Sequence, residues 1–187
     1  MEYRIIKPDE YRTMPWKNGK GMTTELFVKN CSDSDKYIYR LSIAGVTENG
    51  QFSDFSGYDR KLIMLEGNGV RLKHSDGKSS SILTTSDIAE FSGDEETHAE
   101  LVNGPIRDFN VMTLRKKCSS SVEVIHGTKK LSCICDELLI YAKSCSKIDF
   151  LNKELTLESD NLFCFQDPGQ SEISVSGSVI VSGIKYN

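Results

Sequence analysis

Residues 63–72 read Ile63-Met64-Leu65-Glu66-Gly67-Asn68-Gly69-Val70-Arg71-Leu72. A short apolar run, a turn with two glycines and a second short run make a strand–turn–strand signature. Moving outward, a polar turn leads to Ser81-Ile82-Leu83, then to Ser86-Asp87, then to a run ending at Phe91. The same order returns from Leu139-Ile140-Tyr141-Ala142-Lys143 through Ile148-Asp149-Phe150-Leu151, Leu155-Thr156-Leu157 and Ser159-Asp160 to Phe165, offset by about 73 to 76 residues. A self-similar period marks a repeated structural unit. Two small antiparallel barrels, one over 1–115 and one over 116–187, account for the length.

The remaining chain supports an all-β class. Helical periodicity is almost absent, and only 7–11 suggests a single helical turn, with Pro8 at an early position. Further strands are expected at 24–29, 37–46, 60–66, 81–84, 98–102, 107–115, 121–126, 131–135, 171–175 and 178–184. Many short strands between Gly, Ser, Asn and Asp clusters point to a sandwich or barrel.

The composition excludes several function classes. The 187 residues are 38% hydrophobic and carry a net charge of −4. No basic face for nucleic acid is expected from that balance. No apolar run approaches the ~18 residues that would span a bilayer, and the first residues lack the apolar core of a signal peptide. A soluble, cytoplasmic protein is expected, without nucleic-acid or membrane partners. Its six cysteines then sit in a reducing compartment. Cys133 and Cys135 would share one face of a strand and read as structural, since no second pair completes a zinc pattern.

Strand alternation sorts the polar side chains. Over 39–44, Tyr39, Leu41 and Ile43 form one face and Arg40 with Ser42 the other. Over 107–114, Asp108, Asn110 and Met112 oppose Phe109 and Val111. Glu25 sides with Thr23 and Phe27, and Arg60 with Leu62 and Met64. Faces that mix acid, amide and cation with Met and Leu suit the interior of a small ligand-holding barrel better than open surface. A further wall is suggested by Met14-Pro15-Trp16-Lys17-Asn18-Gly19-Lys20-Gly21, which holds the chain's one tryptophan.

Together these motifs resemble the HutD/Ves family. The matching stretches are 14–21 with Glu25, Arg40-Leu41-Ser42-Ile43-Ala44, the segment from Gly50 to Arg60, Leu65-Glu66-Gly67-Asn68-Gly69, Phe91-Ser92-Gly93-Asp94, and Gly104 to Met112 with Arg115. Residues 116–187 carry no matching motif, and Lys20 stands where the family often has a small residue. The resemblance implies a cupin-like double-stranded β-helix fold, duplicated as a bicupin. It also implies an accessory or regulatory role in histidine utilisation, with a small carboxylate pathway intermediate as the bound molecule and no established catalytic activity.

The residue chemistry narrows this further. A cupin metal site needs several clustered histidines, whereas His74, His98 and His126 are scattered and no His-x-His occurs. No metal and no cofactor are called for. Gly19-Lys20-Gly21 lacks the remaining residues of a phosphate loop. Carboxylate recognition fits better, because Arg40 and Arg60 each offer a planar fork. Asn18 and Asn110 can donate or accept, Trp16 can stack on a flat ligand, and Glu25 and Asp108 can orient the arginines. The ligand-binding set is therefore Trp16, Lys17, Asn18, Glu25, Arg40, Ser42, Arg60, Asp108, Asn110 and Met112, for a ligand of the formylglutamate, formiminoglutamate or urocanate type. Blander readings stay open: an Arg40–Asp108 interior ion pair, an Arg60–Asp59 surface pair, and Trp16 as a core plug. So do a metal-independent enzyme with Glu25 or Asp108 as general base, and a protein-interaction module. A homodimer is compatible with the sequence, which does not fix the oligomeric state.

Overall fold

The computed structural model describes residues 2–16, 19, 21–78, 82–169 and 171–187. The strands are β1 (Glu2–Ile6), β2 (Arg12–Pro15), β3 (Gly21–Asn30), β4 (Tyr37–Val46), β5 (Gly50–Gln51), β6 (Tyr58–Glu66), β7 (Val70–His74) and β8 (Ile88–Ser92). They continue as β9 (Thr97–Leu101), β10 (Ile106–Leu114), β11 (Cys118–Ser132), β12 (Glu137–Ala142), β13 (Ser146–Phe150), β14 (Lys153–Leu157), β15 (Leu162–Gln166) and β16 (Glu172–Tyr186). The expected helical turn is a 3₁₀ turn at Pro8–Glu10, where Glu10 Oε1 accepts from the Lys7 amide at 3.0 Å. No helix among the described residues is long and apolar enough to cross a membrane.

Two compact units divide the chain, residues 12–117 and residues 1–11 with 118–187. The first unit holds a six-stranded sheet in the order β2-β3-β4-β10-β6-β8 and a three-stranded sheet in the order β5-β9-β7. Leu62 and Met64 of the larger sheet pack with Val70, Leu72 and Ala99 of the smaller one. That apolar cluster closes one part of the space between the sheets. The opposite face of the larger sheet buries Tyr39, Leu41, Ile63, Phe109 and Val111 completely. The expected strand at 81–84 is a single bridge between Val70 and Leu83, and Ser81 lies outside the described residues.

The second unit is one sheet in the order β1-β15-β12-β16-β13-β14, with β11 also paired to β16. The first strand thus belongs here and not with 12–117: Glu2 to Ile6 pair in register with Gln166 to Leu162. Its core is apolar and aromatic. Phe150 meets Tyr3, Phe163 and Phe165 at ring centroid distances of 5.0, 5.2 and 5.5 Å, mostly edge to face, a geometry that adds about 0.5–1.5 kcal/mol per pair beyond burial.

The four short strands expected at 121–126, 131–135, 171–175 and 178–184 are two 15-residue strands, β11 and β16, paired without a break. Glycine reads as a strand breaker. Here Gly127 lies opposite Gly177, and both have positive φ, 95° and 139°. The ladder passes through both glycines and keeps its register. Gly177 also admits Ser146, whose Oγ would lie 2.2 Å from a Cβ at that position.

Candidate functional site

The polar face expected on β4 and β10 lies inside the first unit, between its two sheets. Antiparallel register lines its side chains up in rows across the larger sheet. Arg40, Met112, Arg60 and Phe91 form one row; Ser42, Asn110 and Leu62 form the next; Ala44, Asp108 and Met64 form the third. Arg40, Ser42, Ala44, Arg60, Asp108, Asn110 and Met112 of these rows, with Trp16 and Thr23 from the β2–β3 side and Phe52 and Phe55 from the 50–57 segment, line a cavity of about 570 Å³. That size suits a small molecule.

Arg60 is 7% exposed and Asp108 1% exposed. Asn110 connects them: its Oδ1 accepts from Arg60 Nη2 at 3.1 Å, and its Nδ2 donates to Asp108 Oδ1. Arg40 Nη2 donates to Met112 Sδ at 3.3 Å, and the Tyr37 hydroxyl reaches the same sulfur at 3.6 Å. The interior Arg40–Asp108 pair does not form, because Asp108 is held by Asn110. The Arg60–Asp59 pair does not form either. Alternation sends Asp59 to the other side of the sheet, where it accepts from Arg115 Nε at 2.8 Å.

Aromatic rings surround the cations. The Arg60 guanidinium lies 5.1, 5.3 and 4.9 Å from the ring centroids of Phe52, Phe55 and Phe91. Arg40 lies 5.2 Å from the Tyr37 ring and 5.3 Å from Phe55. Such contacts stabilise a desolvated cation by roughly 0.5–2 kcal/mol each. Even so, burial pulls the Arg60 pKa down to about 10, opposed by Asp108, so the group stays cationic at neutral pH. Burial raises Asp108 to about 7, opposed by the Arg60 charge and the Asn110 bond. Burial also pushes Tyr37 up to about 12.

Among the described residues, Arg40 Nε, Arg60 Nε and Asp108 Oδ2 are buried without a hydrogen-bond partner. An unsatisfied buried polar group costs about 1–3 kcal/mol. Residues that line the cavity thus keep two donors and one carboxyl oxygen unsatisfied.

The 50–57 segment that brings in Phe52 and Phe55 is pinned from outside. The Phe52 amide donates to Thr97 O at 2.8 Å, and Gly57 N donates to Asp94 Oδ1 at 2.6 Å. Asp94 Oδ2 accepts from Arg115 Nη1 and from the Ser92 hydroxyl, each at 2.8 Å. The Gly57 amide, Ser92 and Arg115 together hold the Asp94 carboxyl down at about 2.

Of the expected site residues, Trp16, Arg40, Ser42, Arg60, Asp108, Asn110 and Met112 converge on the cavity. Trp16 also packs against the neighbouring apolar cluster, and its indole donates to Thr23 Oγ1 at 2.7 Å. Lys17, Asn18 and Lys20 lie outside the described residues. Glu25 does not line the cavity; it stands opposite Arg12 and Ser42, and a bulge follows it. That bulge also removes Phe27 from the face of Glu25, and Phe27 stacks on Tyr39 at 5.6 Å. Phe52, Phe55 and Phe91 were not expected in the site, although they lie in the motifs that carry the family resemblance. Their signal was the density of aromatics around Ser, Asp and Gly in a segment too irregular for a core strand. His98 is exposed on β9, between buried Thr97 and Ala99. Among the described residues, no group of three or more His, Cys, Asp or Glu side chains could hold a metal ion.

The HutD family model matches residues 8–181. An uncharacterised 21.2 kDa protein in the hutC 3′ region of Pseudomonas putida is 35% identical over 143 residues, covering 76% of this chain and 75% of that protein. A conserved protein of unknown function from Pseudomonas aeruginosa PAO1 has a solved structure with a TM-score of 0.90 at 31% identity, and each chain is covered completely. The structure of HutD from Pseudomonas fluorescens SBW25 gives a TM-score of 0.89 at 24% identity, also over the whole of both chains. For the fold alone, a bacterial pirin from Escherichia coli aligns at a TM-score of 0.66 and 9% identity over 99% of each chain, in keeping with a cupin-like arrangement.

Proposed function

The chain belongs to the HutD family, and from that premise we propose that it is an accessory or regulatory protein of histidine utilisation that binds a small carboxylate metabolite between Arg40, Arg60 and Asp108. The observation that carries this reading is the set of unpartnered buried atoms, Arg40 Nε, Arg60 Nε and Asp108 Oδ2, around one cavity. A carboxylate satisfies the guanidinium donors, and charge-assisted bonds of that kind are roughly twice as strong as neutral ones. A second polar group on the ligand, N–H or carbonyl, meets Asp108 in its ionised or protonated form. The rings of Phe52, Phe55 and Phe91 flank the Arg60 guanidinium and favour a ligand with a flat or apolar part. Formylglutamate, formiminoglutamate and urocanate have this chemistry.

Calorimetry with these three compounds tests the reading. Binding heat and a thermal shift are expected for at least one, with both lost in Arg60→Ala. No heat and no shift in the wild type for any of them defeats it.

A second reading, a metal-independent enzyme, is favoured by one specific observation. Asp108, with a pKa raised to about 7, is tuned for general acid–base work at neutral pH. Turnover of the same compounds, followed by mass spectrometry, separates it from simple binding. A cytoplasmic setting and a duplicated cupin pair complete the proposal. The second is supported by the sequence echo between 63–91 and 139–165, and by a separate apolar core in each unit.

A further inference from the structure

The two arginines of the cavity are not equivalent. Arg60 is tied into the wall: its Nη2 donates to Asn110 Oδ1 at 3.1 Å, and Asn110 donates in turn to Asp108. Arg40 is not tied in this way. Among the described residues no carboxylate or amide oxygen accepts from its guanidinium; the acceptor it meets is Met112 Sδ, at 3.3 Å. A thioether is a weak acceptor. The same sulfur draws a second donor, the Tyr37 hydroxyl, at 3.6 Å. Two good donors from different residues thus converge on one poor acceptor.

The open edge of Arg40 has a definite shape. Nε and Nη2 lie side by side on one edge of a guanidinium, the edge that takes a carboxylate through two parallel bonds. On Arg40, Nε is buried without a partner and Nη2 holds only the sulfur. Its guanidinium stands against the Tyr37 and Phe55 rings, at 5.2 and 5.3 Å. Tyr37 is fixed in turn by its ring contact with Tyr58 at 4.5 Å, and its carbonyl accepts from the Tyr58 hydroxyl at 2.9 Å. Met112 separates the two arginines in their row, so their backbones stand two strand spacings, about 10 Å, apart.

Resting on the carboxylate-binding reading above, we propose that the carboxylate docks on Arg40 and not on Arg60: it takes the Nε–Nη2 edge of Arg40 side-on, accepts a third bond from the Tyr37 hydroxyl, and displaces the Met112 sulfur from both donors. Met112 can yield, because its side chain is unbranched and adapts to its surroundings. Arg60 Nε and Asp108 Oδ2 are left for the second polar group of the ligand. Tyr37 joins the binding residues, and Met112 becomes a place-holder that sets how readily the edge is released.

Calorimetry and thermal shift on the full chain test this, with acetate as the smallest carboxylate probe beside urocanate and formylglutamate. Arg40→Lys keeps the charge and loses the edge; binding should weaken at least about tenfold. Tyr37→Phe keeps the ring and should weaken it about three- to tenfold. Met112→Leu keeps the volume and removes the sulfur, leaving two donors unsatisfied in the free protein. Its melting temperature without ligand should fall, while its affinity rises about two- to fivefold and its ligand-induced shift exceeds that of the wild type. A purely structural role for Met112 would lower stability and affinity together. Wild-type binding that survives undiminished in Arg40→Lys, or that weakens in Met112→Leu, overturns the seat at Arg40 and leaves the carboxylate reading standing. A wild type that binds none of the probes defeats both.

Discussion

Arg60 and Asp108 share one side-chain amide: Asn110 accepts from the guanidinium at 3.1 Å and donates to the carboxyl, so the two charges communicate without forming an ion pair. The arrangement leaves one further atom of each group, Arg60 Nε and Asp108 Oδ2, buried without a hydrogen-bond partner.

Stability should depend on pH through Asp108. Its folded pKa of about 7 lies above the ordinary 3.8. The folded state therefore holds more protons between those values, and stability falls as pH rises from about 4 to about 7, then levels. Asp108→Asn should flatten that part of the curve and exceed the wild type at pH 8 by on the order of 2–4 kcal/mol. Urea unfolding of both proteins across that range measures it; parallel curves would count against the assignment.

Anion binding should follow the same proton. A bound carboxylate disfavours the ionised form of Asp108, so binding takes up a proton when pH exceeds about 7. Affinity should hold steady below that point and fall by up to about tenfold per pH unit above it. Asp108→Asn should bind with little pH dependence. Titrations at pH 6, 7 and 8 decide the matter.

Trp16, the chain's one tryptophan, lines the cavity, so its fluorescence should report ligand entry. Gly21→Ala should disturb that wall. A Cβ there would lie 2.5 Å from Gly45 O and 3.0 Å from the Trp16 ring. We expect a shifted emission maximum and at least tenfold weaker binding, with affinity changed more than melting temperature. An unchanged emission spectrum would show that the ring does not move.

Gly177→Ala should destabilise the second unit by about 2–4 kcal/mol, because it combines a positive φ with a contact against Ser146. Adding Ser146→Gly should recover only part of the loss, since Ser146 Cα also lies 3.0 Å from the new carbon. Thermal unfolding of the single and double variants reads this out.

Much of the site was legible because alternation is a local property. The spacing of Arg40 with Ser42, and of Asp108 with Asn110 and Met112, put each set on one face of one strand, and antiparallel register aligned them. What alternation does not encode was missed. The bulge after Glu25 comes from pairing with β4 and carries no residue signature of its own, so plain alternation puts Phe27 on the wrong face. A glycine read singly signals a break, whereas Gly127 and Gly177 stand opposite each other in a continuous ladder. The rings around Arg60 come from two separate segments, and only the folded chain brings Phe52 and Phe55 to Phe91.

The pairing of β1 with β15 separates partners by most of the chain: Tyr3 lies opposite Phe165, and the Tyr11 hydroxyl donates to Asp160 O at 2.7 Å. On a ribosome, residues 2–6 emerge well before their partner strand. The sheets of residues 12–117 draw every strand from within that stretch, so they can close during synthesis while β1 waits with its hydrogen-bonding edge open. Contacts this distant in sequence slow folding, and an unpaired strand is a template for misassembly. Completion of the second unit's sheet therefore waits on the capture of β1 by β15.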